Sequence, residues 1–130
     1  MKRRFDTSAA MALADSLNCD EAFRHWARSL KTAVKFGDES CSAAIRIDAG
    51  TVSCTDETAD VNITGDEKAW ENALALSPQQ GIYDVMSMPG MVRVDADPLL
   101  IAANAKAFTR LWKQLRCVIT GEERSWDWNV

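Results

Sequence analysis

The residues best suited to chemistry in this 130-residue chain are one histidine and four cysteines. A histidine acts as general base only with a nucleophile within hydrogen-bond reach, and nothing in the pattern brings one to His25. Flanked by Arg24 and Trp26, it reads as a helix residue on the polar edge of an apolar stripe. Cys19, Cys41, Cys54 and Cys117 form no C-x-x-C pair, and only Cys19 is near His25. Zinc needs about four clustered ligands. The cysteines therefore read as reduced and mostly buried thiols, because a free cysteine packs as a small hydrophobe. Asp95-Ala96-Asp97 offers two carboxylates, fewer oxygens than a hard cation takes. Asp97 before Pro98 is better explained as a helix cap, and Asp95 as the end of a strand. Asp56, Glu57 and Asp60 read as a solvated turn, where charge also discourages edge-to-edge sheet association. Phosphate-loop, dinucleotide and nucleophile-elbow motifs are missing from the sequence. No catalysis, cofactor or metal is expected.

Composition narrows the partners. Hydrophobic residues make up 47% and charged residues 26%, with a formal net charge of -4, ordinary values for a globular domain. The pI near 4.9 argues against nucleic acid, which is bound through basic surface that displaces counterions. It argues equally against charge-driven attachment to anionic membranes. No apolar run is long enough to span a bilayer. Met1-Lys2-Arg3-Arg4 looks like the start of a signal peptide, but the apolar stretch that follows is short and ends at Asp15. A cytoplasmic location is expected.

The elements that position these residues follow from periodicity. Residues 8–17 are alanine-rich and predict a short helix. Asn18 with Glu21 resembles a capping box. Apolar residues at Ala22, Phe23, Trp26, Ala27, Leu30, Ala33 and Val34 then predict one helix that stops at Gly37. The period changes to two at Cys41, Ala43, Ile45 and Ile47. Ala49-Gly50 serves as a two-residue turn, and the chain returns through Val52 and Cys54. That register sets Ile47 opposite Val52 and Ile45 opposite Cys54. A strand with Val61 and Ile63 inward follows. Thr64-Gly65-Asp66-Glu67 reads as a second capping box, opening a helix through Trp70, Ala73 and Leu74 that ends at Ser77-Pro78. Residues 79–86 form a short helix or turn, Val92 and Val94 a strand, and a final helix runs from Pro98 to about Arg116. Segregated helices and strands give an α+β fold: a four- to five-stranded, mostly antiparallel sheet with helices over one face. Residues 1–120 form a single domain, and 121–130 an aromatic tail.

The second half is rich in adaptable apolar residues. Trp70 and Trp112 lie on the two late helices, and Met86, Met88 and Met91 cluster between them. Methionine suits apolar surfaces that adjust to a ligand.

Residues 41–116 resemble the sterol carrier protein type 2 family. The likeness is carried by Ala44-Ile45-Arg46-Ile47-Asp48-Ala49-Gly50, by Ala59-Asp60-Val61-Asn62-Ile63-Thr64-Gly65-Asp66-Glu67-Lys68-Ala69-Trp70, and by Met88-Pro89-Gly90-Met91-Val92-Arg93-Val94-Asp95-Ala96-Asp97. The sequence departs from the family at Pro78-Gln79-Gln80-Gly81, at Asp95-Ala96, and in a C-terminus without a peroxisomal tripeptide. The resemblance implies a five-stranded sheet with helices on one side and an apolar tunnel between. It also implies a non-catalytic carrier of fatty acid, sterol or isoprenoid lipid. The expected lining is Trp70, Leu74, Ile82, Met86, Met88, Ile101, Phe108 and Trp112, which sit between the sheet and the late helices. The alternative is an accessory or dimerisation domain of a larger enzyme or complex, without a ligand of its own. The tail residues Trp126 and Trp128 would then meet a second copy or a partner enzyme.

Overall fold

The computed structural model describes residues 5–76 and 81–121. The element order is α1 (Thr7–Asn18), α2 (Glu21–Trp26), β1 (Lys31–Gly37), β2 (Ser42–Asp48), β3 (Thr51–Cys54), β4 (Val61–Thr64), α3 (Glu67–Leu74), α4 (Ile82–Ser87), β5 (Arg93–Asp95), α5 (Pro98–Ala103) and α6 (Ala105–Thr120). Four helices begin at an aspartate. Asp6, Asp20, Asp66 and Asp97 each accept a hydrogen bond from a backbone N–H of the first turn, which satisfies one of the donors a helix leaves unpaired. Asp20 and Asp66 thus take the places that the two capping-box readings gave to Asn18 and Thr64.

The sheet has five strands in the order β3-β2-β1-β4-β5. Its pairs are antiparallel except β1–β4, which is parallel. The expected α+β architecture is present, and the β2–β3 register is as expected: Ile47 faces Val52 and Ile45 faces Cys54. The turn between them holds Ala49 at φ 53° and Gly50 at φ 88°, the doubly left-handed conformation that matches hairpin twist. A side chain at position 50 would also collide with the Arg24 carbonyl, 2.9 Å from an added Cβ.

Two helices were expected to be longer than they are. The stripe from Ala22 to Val34 is not one helix. It ends at Trp26, and Lys31–Gly37 is the central strand. Thr32, Val34 and Phe36 are buried on one face, opposite Ile47, Ile45 and Ala43. Leu30 and Val34 satisfy both periods, and pairing on two sides at once, with β2 and β4, decides between them. The last helix breaks at Asn104, whose side-chain Nδ2 donates to the Leu100 carbonyl at 3.0 Å. Asparagine competes in this way for the backbone groups a helix needs.

The helices cover one face of the sheet. The core gathers Leu13 and Leu17 from α1, Phe23 from α2, Val34 and Phe36 from β1, and Phe108, Leu111 and Leu115 from α6. On the opposite face lie Lys31, Lys35, Arg46 and Asp48, with ion pairs Lys31–Asp48 and Arg46–Glu57. Among the described residues no helix is long and apolar enough to cross a membrane.

Candidate functional site

The eight residues expected to line an apolar site fall into two groups. Trp70 and Leu74 on α3, Ile82 on α4, Ile101 on α5, and Phe108 and Trp112 on α6 are brought together in the core. Met86 on α4 and Met88 just after it are exposed, as are Tyr83 and Leu99.

The centre of the buried group is Trp70. Its indole Nε1 donates to the Gly37 carbonyl at 3.0 Å, so its polar handle is satisfied inside the core. Trp112 stacks parallel to it with centroids 6.3 Å apart, and Phe5 packs against it at 4.9 Å. Sequence reasoning did not find Phe5, because no periodic neighbour flags a lone aromatic ahead of the first helix. Apart from Leu74 at 6%, the six buried residues have no more than 1% of their surface accessible. A side chain so covered touches scarcely any void that would admit water, open or closed. These six residues therefore pack against one another and their neighbours.

Open volume lies at the other side of the sheet. A groove of about 500 Å³ runs past the end of β2, where β3 leaves it. One wall is Thr7 and Ala10 of α1 with Ala43 of β2. The other is Lys35 and Ala44 on the outer sheet face, with Cys54, Thr55, Asp56 and Glu57 along the rim. None of the eight expected residues lines it. The groove exists because β2, isoleucine-rich at Ile45 and Ile47, begins with Ser42-Ala43-Ala44. That run of small residues was the available signal.

The core also holds a polar cluster that sequence reasoning missed. Asp20, 1% exposed, accepts from Phe23 N at 3.1 Å, from Arg110 Nε at 2.9 Å and from Gln114 Nε2 at 2.8 Å. Arg110 completes a buried ion pair with it at 2.8 Å. Lys113 lies beside this cluster, and burial, with repulsion from Arg110, holds its ammonium below the ordinary lysine pKa, against the opposing pull of Asp20. The cluster ties the start of α2 to α6 across 90 residues of sequence.

The remaining candidates are peripheral. His25 is exposed on α2, with its ring against Trp26 and Arg28. Cys117 is buried, but Cys19, Cys41 and Cys54 are exposed, contrary to expectation, because each lies where a helix or strand begins or ends. Asp97 caps α5 by accepting from Leu99 N at 2.9 Å. Asp60 is not purely a turn residue, since its carboxylate accepts from Thr32 Oγ1 at 3.1 Å. No three histidine, cysteine or acidic residues gather in metal-binding geometry among the described residues. The tail tryptophans lie outside the described residues.

A five-stranded mixed sheet with helices on one face defines a known class of α+β domain. The chain has the fold of sterol carrier protein 2: it superposes on a crystal structure of that protein with a TM-score of 0.67 at 19% identity, over 86% of this chain and 96% of the other. It also superposes on the solution structure of a conserved hypothetical protein, a possible sterol carrier protein, from Thermus thermophilus, with a TM-score of 0.65 at 20% identity, over 88% and 89% of the two chains. No family model matches the sequence, and no curated protein matches it.

Proposed function

We propose that this domain binds an apolar ligand, a sterol, an isoprenoid lipid or a fatty acid, without catalysis, and carries or presents it. The fold supports this reading, since one solved structure of the same architecture is a sterol carrier protein. The single observation that carries it onto this chain is the aromatic and aliphatic layer between the sheet and α3, α4 and α6, with the partly buried Met91 and Leu100 packed against it. Entry requires α4 to lift. Of its six residues only Ile82 and Val85 are buried, and the Tyr83 hydroxyl donates to the Ile101 carbonyl at 3.2 Å.

The energetics favour a bulky ligand. Exposing Ile82 and Val85 costs about 3–6 kcal/mol. A sixteen-carbon chain gains about 12 kcal/mol on burial, and association costs about 4–15 kcal/mol. A single acyl chain is therefore held weakly, whereas a sterol or isoprenoid that repacks against Ile82 and Val85 recovers part of the opening cost. Extraction of the purified protein into organic solvent, followed by mass spectrometry, is expected to release such a lipid. The same lipid is expected to displace a fluorescent fatty acid and to change tryptophan emission. Lipid-free protein with no displacement by sterol, isoprenoid or fatty acid overturns the proposal.

The second reading, an accessory or dimerisation domain without a ligand, draws support from the close packing of the six buried residues. The exposed Tyr83, Met86, Met88 and Leu99 favour it too, because apolar surface of this kind marks contact sites. A monomeric mass in solution would remove the self-association form of it.

A further inference from the structure

We propose that the groove at the end of β2 is a second site, distinct from the apolar layer, and that it takes an extended peptide segment by strand addition. Bond parity shows how β2 is wired. Asp38 N donates to the Cys41 carbonyl and Ala49 N to the Leu30 carbonyl, so the odd-numbered residues of β2 bond to β1. The even-numbered residues turn their N–H and C=O groups the other way, toward β3, as Thr55 N donating to the Ala44 carbonyl confirms. Strand β3 ends its register at Cys54 opposite Ile45. Beyond Thr55 the chain departs, and the Glu57 N–H turns to the Thr55 hydroxyl at 3.2 Å. Ser42 is thus left with a backbone donor and acceptor facing the groove, and neither has a partner among the described residues.

The fold closes the comparable position on its outermost strand. Asn18 accepts from Val52 N and donates to the Val52 carbonyl, each at 2.8 Å, so one side-chain amide supplies what a neighbouring strand would. At Ser42 no such group is provided, and the groove leaves space for one. An amide in an extended backbone makes the same pair of bonds, and strand-edge recognition of peptides works in this way. The walls fit the alternation of an extended chain. Ala43 faces α1 and admits a small apolar side chain, whereas Ala44 lies on the outer face opposite Lys35, with Asp56 also on the groove. Those two charges have no ion-pair partner among the described residues, and they match a segment carrying charges of both signs. An acyl chain would satisfy neither the bare amide edge nor the charges.

The test uses the full chain and random displayed peptides of about eight residues, within the ordinary length of a strand. Selected peptides, made synthetically, are expected to slow hydrogen exchange at the Ser42 amide. They should also shield Cys54 from alkylation, while Cys19, exposed at the far end of α1 from the groove, keeps reacting. Ser42→Pro removes the donor without touching the β1 ladder, and loss of one such bond is expected to weaken binding about tenfold. Ala44→Arg, which fills the groove, and methylation of the peptide nitrogen that pairs with Ser42 are each expected to abolish it. The methylated peptide keeps the test independent of how the variants fold. Failure to enrich any peptide, or binders that leave Ser42 exchange and Cys54 reactivity unchanged and tolerate methylation, overturns the proposal. None of these outcomes bears on lipid binding.

Discussion

The two sides of the sheet are finished in opposite ways. Beside β4 and β5, three helices press large side chains together: Trp70 lies between Phe5 and Trp112, and almost nothing there is accessible. At the Ser42 end of β2 the facing positions are alanines, β3 stops early, and a groove remains. The contrast shows that hydrophobic content does not locate a cavity. Large apolar side chains interdigitate until they fill the space. A row of small side chains at an interrupted strand pairing leaves space that nothing nearby can reach.

The comparison is most severely tested at its packed end. Trp70→Ala is expected to cost about 3–5 kcal/mol in a urea melt, and Trp70→Phe about 0.5–1.5 kcal/mol, because the Gly37 carbonyl loses the indole donor but keeps the Gly65 N–H at 3.3 Å. A much smaller loss from Trp70→Ala would mean that the layer is loosely filled and already open to a ligand. Asp20→Ala is expected to cost about 3–5 kcal/mol, since it removes the buried carboxylate to which both Arg110 and Gln114 donate. A small effect there would show that α6 is anchored by its apolar contacts alone.

One substitution type measures both sides. Ala73→Leu, in the filled layer, is expected to destabilise by about 1–3 kcal/mol through overpacking. Ala44→Leu, in the groove, is expected to stay within about 0.5 kcal/mol of the parent. Equal costs would mean that the groove is closed in solution.

The smallest effect expected is a pH dependence. Because the pKa of Lys113 is lowered in the fold from its ordinary 10.5, the unfolded chain binds more protons between the lowered value and 10.5. Stability therefore rises with pH across that window. Lys113→Met is expected to flatten the rise, as followed by thermal melts at several alkaline pH values. An unchanged slope would assign the pH dependence to another group.

Much of the fold was legible in short-range pattern. The aspartate before Pro98, the Ala49-Gly50 turn and the Ile45–Cys54 register each depend on neighbours a few residues apart, and the structure contains all three. The candidate site was legible only as a set of residues that meet. Phe108, Trp112, Trp70 and Ile82 do come together, but their fit was not written in the pattern, because side chains that enclose a tunnel and side chains that fill it share the same spacing.

The amino-acid sequence by itself determined the class of the domain, the Asp97 cap of α5, and which face of each hairpin strand turns inward, since caps, turns and alternation act over one or two turns of chain. Only the tertiary structure decided that Lys31–Gly37 is a central strand rather than the end of a helix, and that open volume lies at Ser42–Ala44 rather than among the tryptophans. Both outcomes depend on partners distant in sequence: β4 pairing along β1, and Phe5 closing over Trp70. Local periodicity carries no information about which distant surface arrives.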